Sequence, residues 1–233
     1  MAKLFLIPTP LADSDHAWLP ENERQRVLHL RHFVVEAEKT ARKHLKALGV
    51  STPIRELELN TLNEHTPAHD IAALLAPLEQ GFDLGLISEA GCPAVADPGA
   101  QLVALAHERG IEVDPLIGPS SILLALMASG ANGQRFTFHG YLPVDASARK
   151  ERIKALESRS KQQDETQVFI ETPYRNNALL AQLHSELAPN TRLAVACDLN
   201  AAGQTIVSRR VKDWPIPAPD LHKRPAIFIL YAG

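Results

Sequence analysis

Cysteine is scarce in this chain, with only Cys92 and Cys197 among 233 residues. Two thiols far apart in sequence make no disulfide framework and fit a reducing compartment. They make no structural zinc site either. His65 and His69 stand four apart, but the H-E-x-x-H pattern of a zinc helix is missing. No metal is therefore expected, and these histidines read as a solvent-facing helix start. Long apolar runs are also lacking. No segment approaches the roughly 20 apolar residues that span a bilayer, and the run from Met1 to Pro8 is too short for a secretory signal. The expectation is a cytoplasmic protein with no membrane partner. There is no excess of positive charge: the formal net charge is −3. That argues against coating nucleic acid through many phosphate contacts, while leaving room for a local basic groove. Neither G-x-G-x-x-G after a strand nor G-x-x-x-x-G-K-[ST] occurs, which disfavours a dinucleotide oxidoreductase or a P-loop NTPase.

Short apolar, β-branched runs alternate with amphipathic stretches along the whole length. Strands are expected at Leu4–Ile7, His32–Val35, Leu84–Ser88, Val113–Ile117, Arg135–His139, Gln167–Glu171, Leu193–Cys197 and Ala226–Tyr231. Helices are expected at Glu21–Arg31, Lys39–Leu48, Pro67–Glu79, Pro98–Arg109, Ser121–Ser129, Ser147–Arg159 and Asn176–Leu187. Strand and helix in repetition imply an α/β fold with largely parallel sheets. Thr66-Pro67 and Asp97-Pro98 each place a capping oxygen before a proline suited to a first helical turn. Loops are expected at Gly130–Gln134 and at Trp214–Arg224. Character changes near Leu116–Gly118, which divides the chain into domains at 1–115 and 116–233, with Gly130–Gln134 as the competing boundary.

Three segments share one layout: apolar strand, small-residue loop, helix start. They are Gly85–Gly99, Pro115–Ile122 and Val168–Arg175. In open α/β sheets ligands bind outside the carboxyl ends of strands, where such loops collect. Small residues let backbone groups approach a ligand. Each loop taken alone is no more than a tight turn; three of them carrying Ser, Asp or Glu at the strand end point to a site.

These loops resemble a known family. Leu86-Ile-Ser-Glu-Ala-Gly-Cys-Pro-Ala-Val-Ala-Asp-Pro-Gly99 is similar to the S-D-A-G-T-P-G-I-S-D-P-G signature of the ribosomal RNA small subunit methyltransferase I branch of the tetrapyrrole methylase superfamily. Further matches follow in the same order. They are Ile7-Pro-Thr-Pro-Leu11, Glu36-Ala-Glu-Lys-Thr-Ala-Arg-Lys43, Asn63-Glu64-His65, Ile117-Gly-Pro-Ser-Ser121, Phe136–Pro143 and Glu171-Thr-Pro-Tyr-Arg175. The resemblance implies two α/β domains with mostly parallel sheets, S-adenosylmethionine in an inter-domain cleft, and a homodimer. It places cofactor contacts at Pro10, Leu11, Ser88, Glu89, Gly91, Cys92, Ser120, Ser121, Glu171 and Pro225. Glu89 stands where the family usually has aspartate. Two other segments depart from the branch, Ala12–Trp18 and Cys197–Ala201.

The resembled branch methylates a ribose 2′-hydroxyl in small-subunit ribosomal RNA, so that RNA or the small ribosomal subunit is the implied partner. A hydroxyl nucleophile needs a group that manages its proton, and Glu38, Glu171 and Arg175 are the catalytic candidates. Against Glu38, its spacing to Arg42 is that of an ordinary ion-paired helix face. Arg149, Lys150, Arg152 and Lys154 form a basic stripe that reads as a solvated face or a phosphate contact. Three other readings stay open. One is a methyltransferase acting on a small molecule or protein, and another is a cofactor-binding protein without turnover. The last is a serine hydrolase at Ser120, which lacks the G-x-S-x-G frame.

Overall fold

A computed structural model of the chain describes residues 2–13 and 17–233. Residues 14–16, within the departing Ala12–Trp18 segment, lie outside the described residues. The chain divides into two compact units, Met1–Ser120 and Ser121–Gly233.

The first unit contains β1 (Lys3–Leu6), α1 (Glu21–Gln25), β2 (His32–Val35), α2 (Glu38–Leu48) and β3 (Glu58–Thr61). It continues with α3 (Ala68–Ile71), α4 (Ala76–Glu79), β4 (Leu84–Ile87), α5 (Ala100–Glu108) and β5 (Glu112–Pro115). The five strands form one sheet in the order β3-β2-β4-β1-β5, every pairing parallel. Parallel strands are buried on both faces, so their side chains are apolar in both directions. Phe5, Phe33 and Val35 join one core with Leu45 of α2, while Leu4, Val34 and Leu84 join another with Leu102 of α5. The order places the loops after β4, β1 and β5 side by side.

The second unit contains α6 (Ser121–Ser129), β6 (Phe136–Tyr141), α7 (Ala146–Gln163), β7 (Thr166–Ile170) and α8 (Asn176–Glu186). It ends with β8 (Arg192–Cys197), β9 (Thr205–Arg210) and β10 (Ala226–Tyr231). Its sheet runs β6-β7-β10-β8-β9. Leu193, Val195, Phe169 and Phe228 face Ile153 and Leu156 of α7 and Leu179 and Leu183 of α8 in one core.

The expected two-domain α/β fold is present, but the parallel arrangement holds throughout only for the first sheet. In the second, β6 and β7 are parallel, and the other three pairings are antiparallel. The reason is the connection: β8 and β9 are joined by a short turn with no crossover helix, and a parallel pair needs a crossover of a dozen or more residues. Strands β3 and β9 were outside the apolar pattern because both are polar edge strands. The expected helix Glu21–Arg31 stops at Gln25, and Thr66 and Asp97 do not cap. Thr66 Oγ1 accepts the Asn63 amide instead, and α5 begins only after Gly99. A side-chain cap does start α7, where Asp145 accepts the Ala148 amide at 2.8 Å. Among the described residues, no helix is long and apolar enough to cross a membrane.

Candidate functional site

The first unit gathers three small-residue loops at the carboxyl edge of its sheet. The loop after β1 is tied to the loop after β4 by a reciprocal backbone pair, Thr9 N–H to Gly91 O at 2.9 Å and Gly91 N–H to Thr9 O at 3.1 Å. Thr9 Oγ1 and Ser88 Oγ also donate to the Gly91 carbonyl, each at 3.4 Å, and both side chains are buried. The loop after β4 reaches the loop after β5 through Cys92 Sγ, 3.4 Å from Pro119 O. Gly91 has φ +82°, open to glycine at little cost, and a Cβ there would sit 3.2 Å from Leu11 Cδ2. Leu11, Ser88, Gly91 and Cys92 thus come together with Pro119, and Pro10 lies in the same β1 loop. Ser120 follows Pro119 and is half-buried.

Glu89 is exposed and held on three sides. Its carboxylate accepts Thr40 Oγ1 at 3.0 Å, its amide donates to Glu36 Oε2 at 3.2 Å, and its carbonyl accepts His44 Nε2 at 3.1 Å. The carbonyl can only accept, which assigns the imidazole proton to Nε2. Burial holds the His44 pKa below its ordinary value. No Lys or Arg occurs in residues 7–11, 88–99 or 116–120, whereas Glu89 and Asp97 do. A rim of carbonyls and carboxyls without a cationic side chain fits a positively charged sulfonium ligand.

Below this rim lies a pair the sequence reading missed. Asp97 is partly buried beside Glu36, and its pKa is pushed up to about 8 by burial first, then by the hydrogen bond and charge of Glu36. Burial and a neighbouring carboxyl both disfavour the charged form, so Asp97 keeps its proton through neutral pH. The signal was available: Glu36 directly follows β2, as Ser88 follows β4 and Glu171 follows β7. A carboxyl with a higher pKa folded than unfolded binds its proton more tightly in the folded state. Its stabilising share is full below the ordinary value of 3.8 and is lost as pH rises toward about 8. Asp97→Asn should therefore raise the unfolding midpoint most near pH 8 and little near pH 4. Partial exposure and solvent screening keep the gain on the order of 1–2 kcal/mol, or about 2–8 °C. Parallel midpoint curves for variant and parent across this range would show that Asp97 carries no excess proton.

In the second unit, Glu171 directly follows β7 and its side chain is fully enclosed. Oε1 accepts Arg175 Nη2 at 2.5 Å and the Thr172 amide at 2.7 Å. Among the described residues, Oε2 has no hydrogen-bond partner, and Arg175 Nε and Asn176 Oδ1 are also buried without one. The structure thus brings Glu171 and Arg175 together, one turn apart. In the first unit, Glu38 is the first residue of α2, where Arg42 Nη2 holds its carboxylate at 2.9 Å on an exposed face. Ser121 opens α6, and Pro225, exposed, precedes β10 and accepts the Asp198 amide.

The basic stripe on α7 is not a solvated face throughout. Arg149 is buried and donates to Gln182 Oε1 and to the Pro143 and Val144 carbonyls. Arg152 donates to His139 Nδ1, and Lys150 and Lys154 pair with Glu186.

Comparison with known proteins gives the family and the fold. Residues 14–214 match the family described as Tetrapyrrole (Corrin/Porphyrin) Methylases. This chain belongs to the tetrapyrrole methylase family. It is a methyltransferase of a family that uses S-adenosylmethionine. Among its relatives is the Ribosomal RNA small subunit methyltransferase I of Haemophilus influenzae, 30% identical over 234 residues, covering 97% of this chain and 77% of that protein. The protein of the same name from Pseudomonas aeruginosa is 29% identical over 236 residues, covering 99% and 78%. Two solved structures share the tetrapyrrole methylase fold. The methyltransferase CobJ has a TM-score of 0.62 at 17% identity, with all of both chains covered. Uroporphyrin-III-C-methyltransferase from Thermus thermophilus has a TM-score of 0.55 at 19% identity, covering 100% of this chain and 95% of that one.

Proposed function

We propose that this tetrapyrrole methylase transfers the methyl group of S-adenosylmethionine to a ribose 2′-hydroxyl of small-subunit ribosomal RNA. The observation that carries the acceptor is similarity at about 30% identity, over nearly the whole chain, to proteins named for that RNA. The methyltransferase CobJ and the uroporphyrin-III-C-methyltransferase share the fold at lower identity.

S-adenosylmethionine supplies a methyl group already activated by a positively charged sulfur. The chain's own task is then to bind, align and manage a proton. Pro10, Leu11, Ser88, Glu89, Gly91, Cys92 and Ser120 are the proposed cofactor contacts of the first unit, with Ser121, Glu171 and Pro225 from the second. Stitching three loops through Gly91 and Cys92 makes the rim rigid before binding. Preset alignment of reacting groups is worth roughly 7–11 kcal/mol. Glu171 is the proposed base. Arg175 and the Thr172 amide hold and orient Oε1, which leaves Oε2 to take the proton of the acceptor hydroxyl. Because Oε2 is covered, acceptor binding must uncover it, which couples exposure of the base to loading of the substrate.

The direct experiment supplies radiolabelled S-adenosylmethionine and extract from cells lacking the gene. Label should enter small-subunit ribosomal RNA as an alkali-stable ribose methyl. Label in protein or metabolites alone would overturn the RNA acceptor, and none in any fraction would overturn turnover. Glu89→Lys tests the cofactor rim. A cation placed beside a sulfonium should weaken calorimetric binding of the cofactor at least tenfold, and unchanged affinity would remove Glu89 from the site.

A further inference from the structure

The turn between β7 and α8 presents an aromatic ring to solvent. Tyr174 is 71% exposed and stands next to Arg175, whose amide closes the turn on the Thr172 carbonyl at 2.9 Å. Two residues of the loop before β10 flank the ring. His222 meets it edge-on, with centroids 6.0 Å apart and planes at 78°. Lys223 Nζ lies over the ring, 5.9 Å from its centroid.

That loop is fastened where it stands. The Lys223 amide donates to the Pro173 carbonyl at 3.0 Å, tying the cation's residue to the one before Tyr174. Asn176, fully buried, donates Nδ2 to the Arg224 carbonyl at 2.6 Å. Asn177 Nδ2 donates to Asp220 Oδ1 at 2.7 Å, and Asn177 Oδ1 accepts the Leu221 amide at 2.8 Å. Lys223 itself adopts φ +60°, a left-handed conformation that costs a residue with a Cβ and persists only where its surroundings impose it. Among the described residues, the ion pairs of the second unit leave Lys223 out, so its charge has no carboxylate to answer it. An aromatic ring fixed in water beside an unpaired ammonium suits single-stranded RNA, which offers a flat nucleobase followed by a phosphate. Because the ring is set in advance, stacking on it orders little of the protein.

We propose that Tyr174 is the stacking platform for one nucleobase of the RNA substrate, with Lys223 taking an adjoining phosphate. The assignment to RNA rests on the functional reading above. The platform shares its turn with Arg175, which donates to Glu171 Oε1 at 2.5 Å. A nucleobase stacked there keeps its own strand close to the carboxylate proposed to take the ribose proton.

The test measures binding of the full-length protein to a short oligouridylate and to an abasic ribose-phosphate chain of the same length. The parent should prefer the chain that carries bases by at least about fivefold, the smaller end of what one stacked base contributes. Tyr174→Ala should lose that preference with its unfolding midpoint unchanged, since the ring is exposed. Tyr174→Phe keeps the ring and should keep the preference. Lys223→Gln should lower the slope of log K against log salt by about 0.7, and an unchanged slope would overturn the phosphate contact. The adenine of S-adenosylmethionine is a nucleobase too, so cofactor affinity is measured by calorimetry and should be equal in parent and Tyr174→Ala. A fall in cofactor affinity as large as the fall for RNA would give the ring to the cofactor and overturn the proposal. Equal preference for bases in parent and Tyr174→Ala would overturn the platform and leave the RNA reading standing. A parent that binds neither chain would overturn the RNA reading, and the platform with it.

Discussion

Glu171→Gln is expected to slow methyl transfer by about 10²–10⁴-fold, the usual contribution of a positioned general base. The amide keeps the shape of the side chain and can still accept from the Thr172 amide and from Arg175 Nη2, which hold Oε1 in the parent. What it loses is the ability to take a proton at the second oxygen. The Arg175 side chain retains 38% exposure, so water takes up much of the charge left without a partner. Single-turnover rates should therefore fall while the unfolding midpoint moves little. Glu171→Ala is the harsher change. It removes the anchor of Arg175 as well, and should lose both rate and stability. A glutamine variant that turns over at the parental rate would eliminate Glu171 as the base and return the question to Glu38.

The second large effect is steric. A Cβ added at Gly118 would lie 2.3 Å from Pro8 Cβ and 2.6 Å from Pro8 Cγ, with Leu19 Cδ2 at 3.1 Å. The pyrrolidine ring cannot swing aside as a long side chain would, and the Pro8 carbonyl is pinned by Trp18 Nε1 at 2.9 Å. Gly118→Ala must therefore push the β1 and β5 loops apart. Overpacking of this kind costs about 1–3 kcal/mol or more, and the displaced Pro119 carbonyl would pull on Cys92. We expect a fall of that size in urea-unfolding stability, with cofactor binding weakened at least tenfold by calorimetry. Gly133→Ala, where an added Cβ meets nothing within 4 Å, is the matched control and should be near neutral. Equal behaviour of the two variants would show that close packing of these loops plays no part in binding.

Much of this protein was legible residue by residue. The apolar runs of β1, β2 and β4 announced buried parallel strands, because a strand covered on both faces must be apolar on both. The strand-end motif marked Glu171 and Arg175 as candidates, but their ion pair appears only in the structure. What stayed hidden was non-local. The strand Glu58–Thr61 carries no apolar signal, since an edge position asks for none, and Thr205–Arg210 is recognisable only beside β8. Asp97 looked like a helix cap until Glu36 was seen next to it. The same strand-end logic that picked out Ser88 should have favoured Glu36 over Glu38.

The chain order of its residues alone determined the chemical character of the rim: loops of proline, glycine and serine, with acids but no Lys or Arg, whatever their neighbours. The tertiary structure decided which of those loops touch, which carboxyl keeps its proton, and which cation lies over the Tyr174 ring. Composition is a local property written into each segment. Strand order, desolvation and register depend on which distant segment supplies the hydrogen bonds and the cover, and no single stretch of chain carries that information.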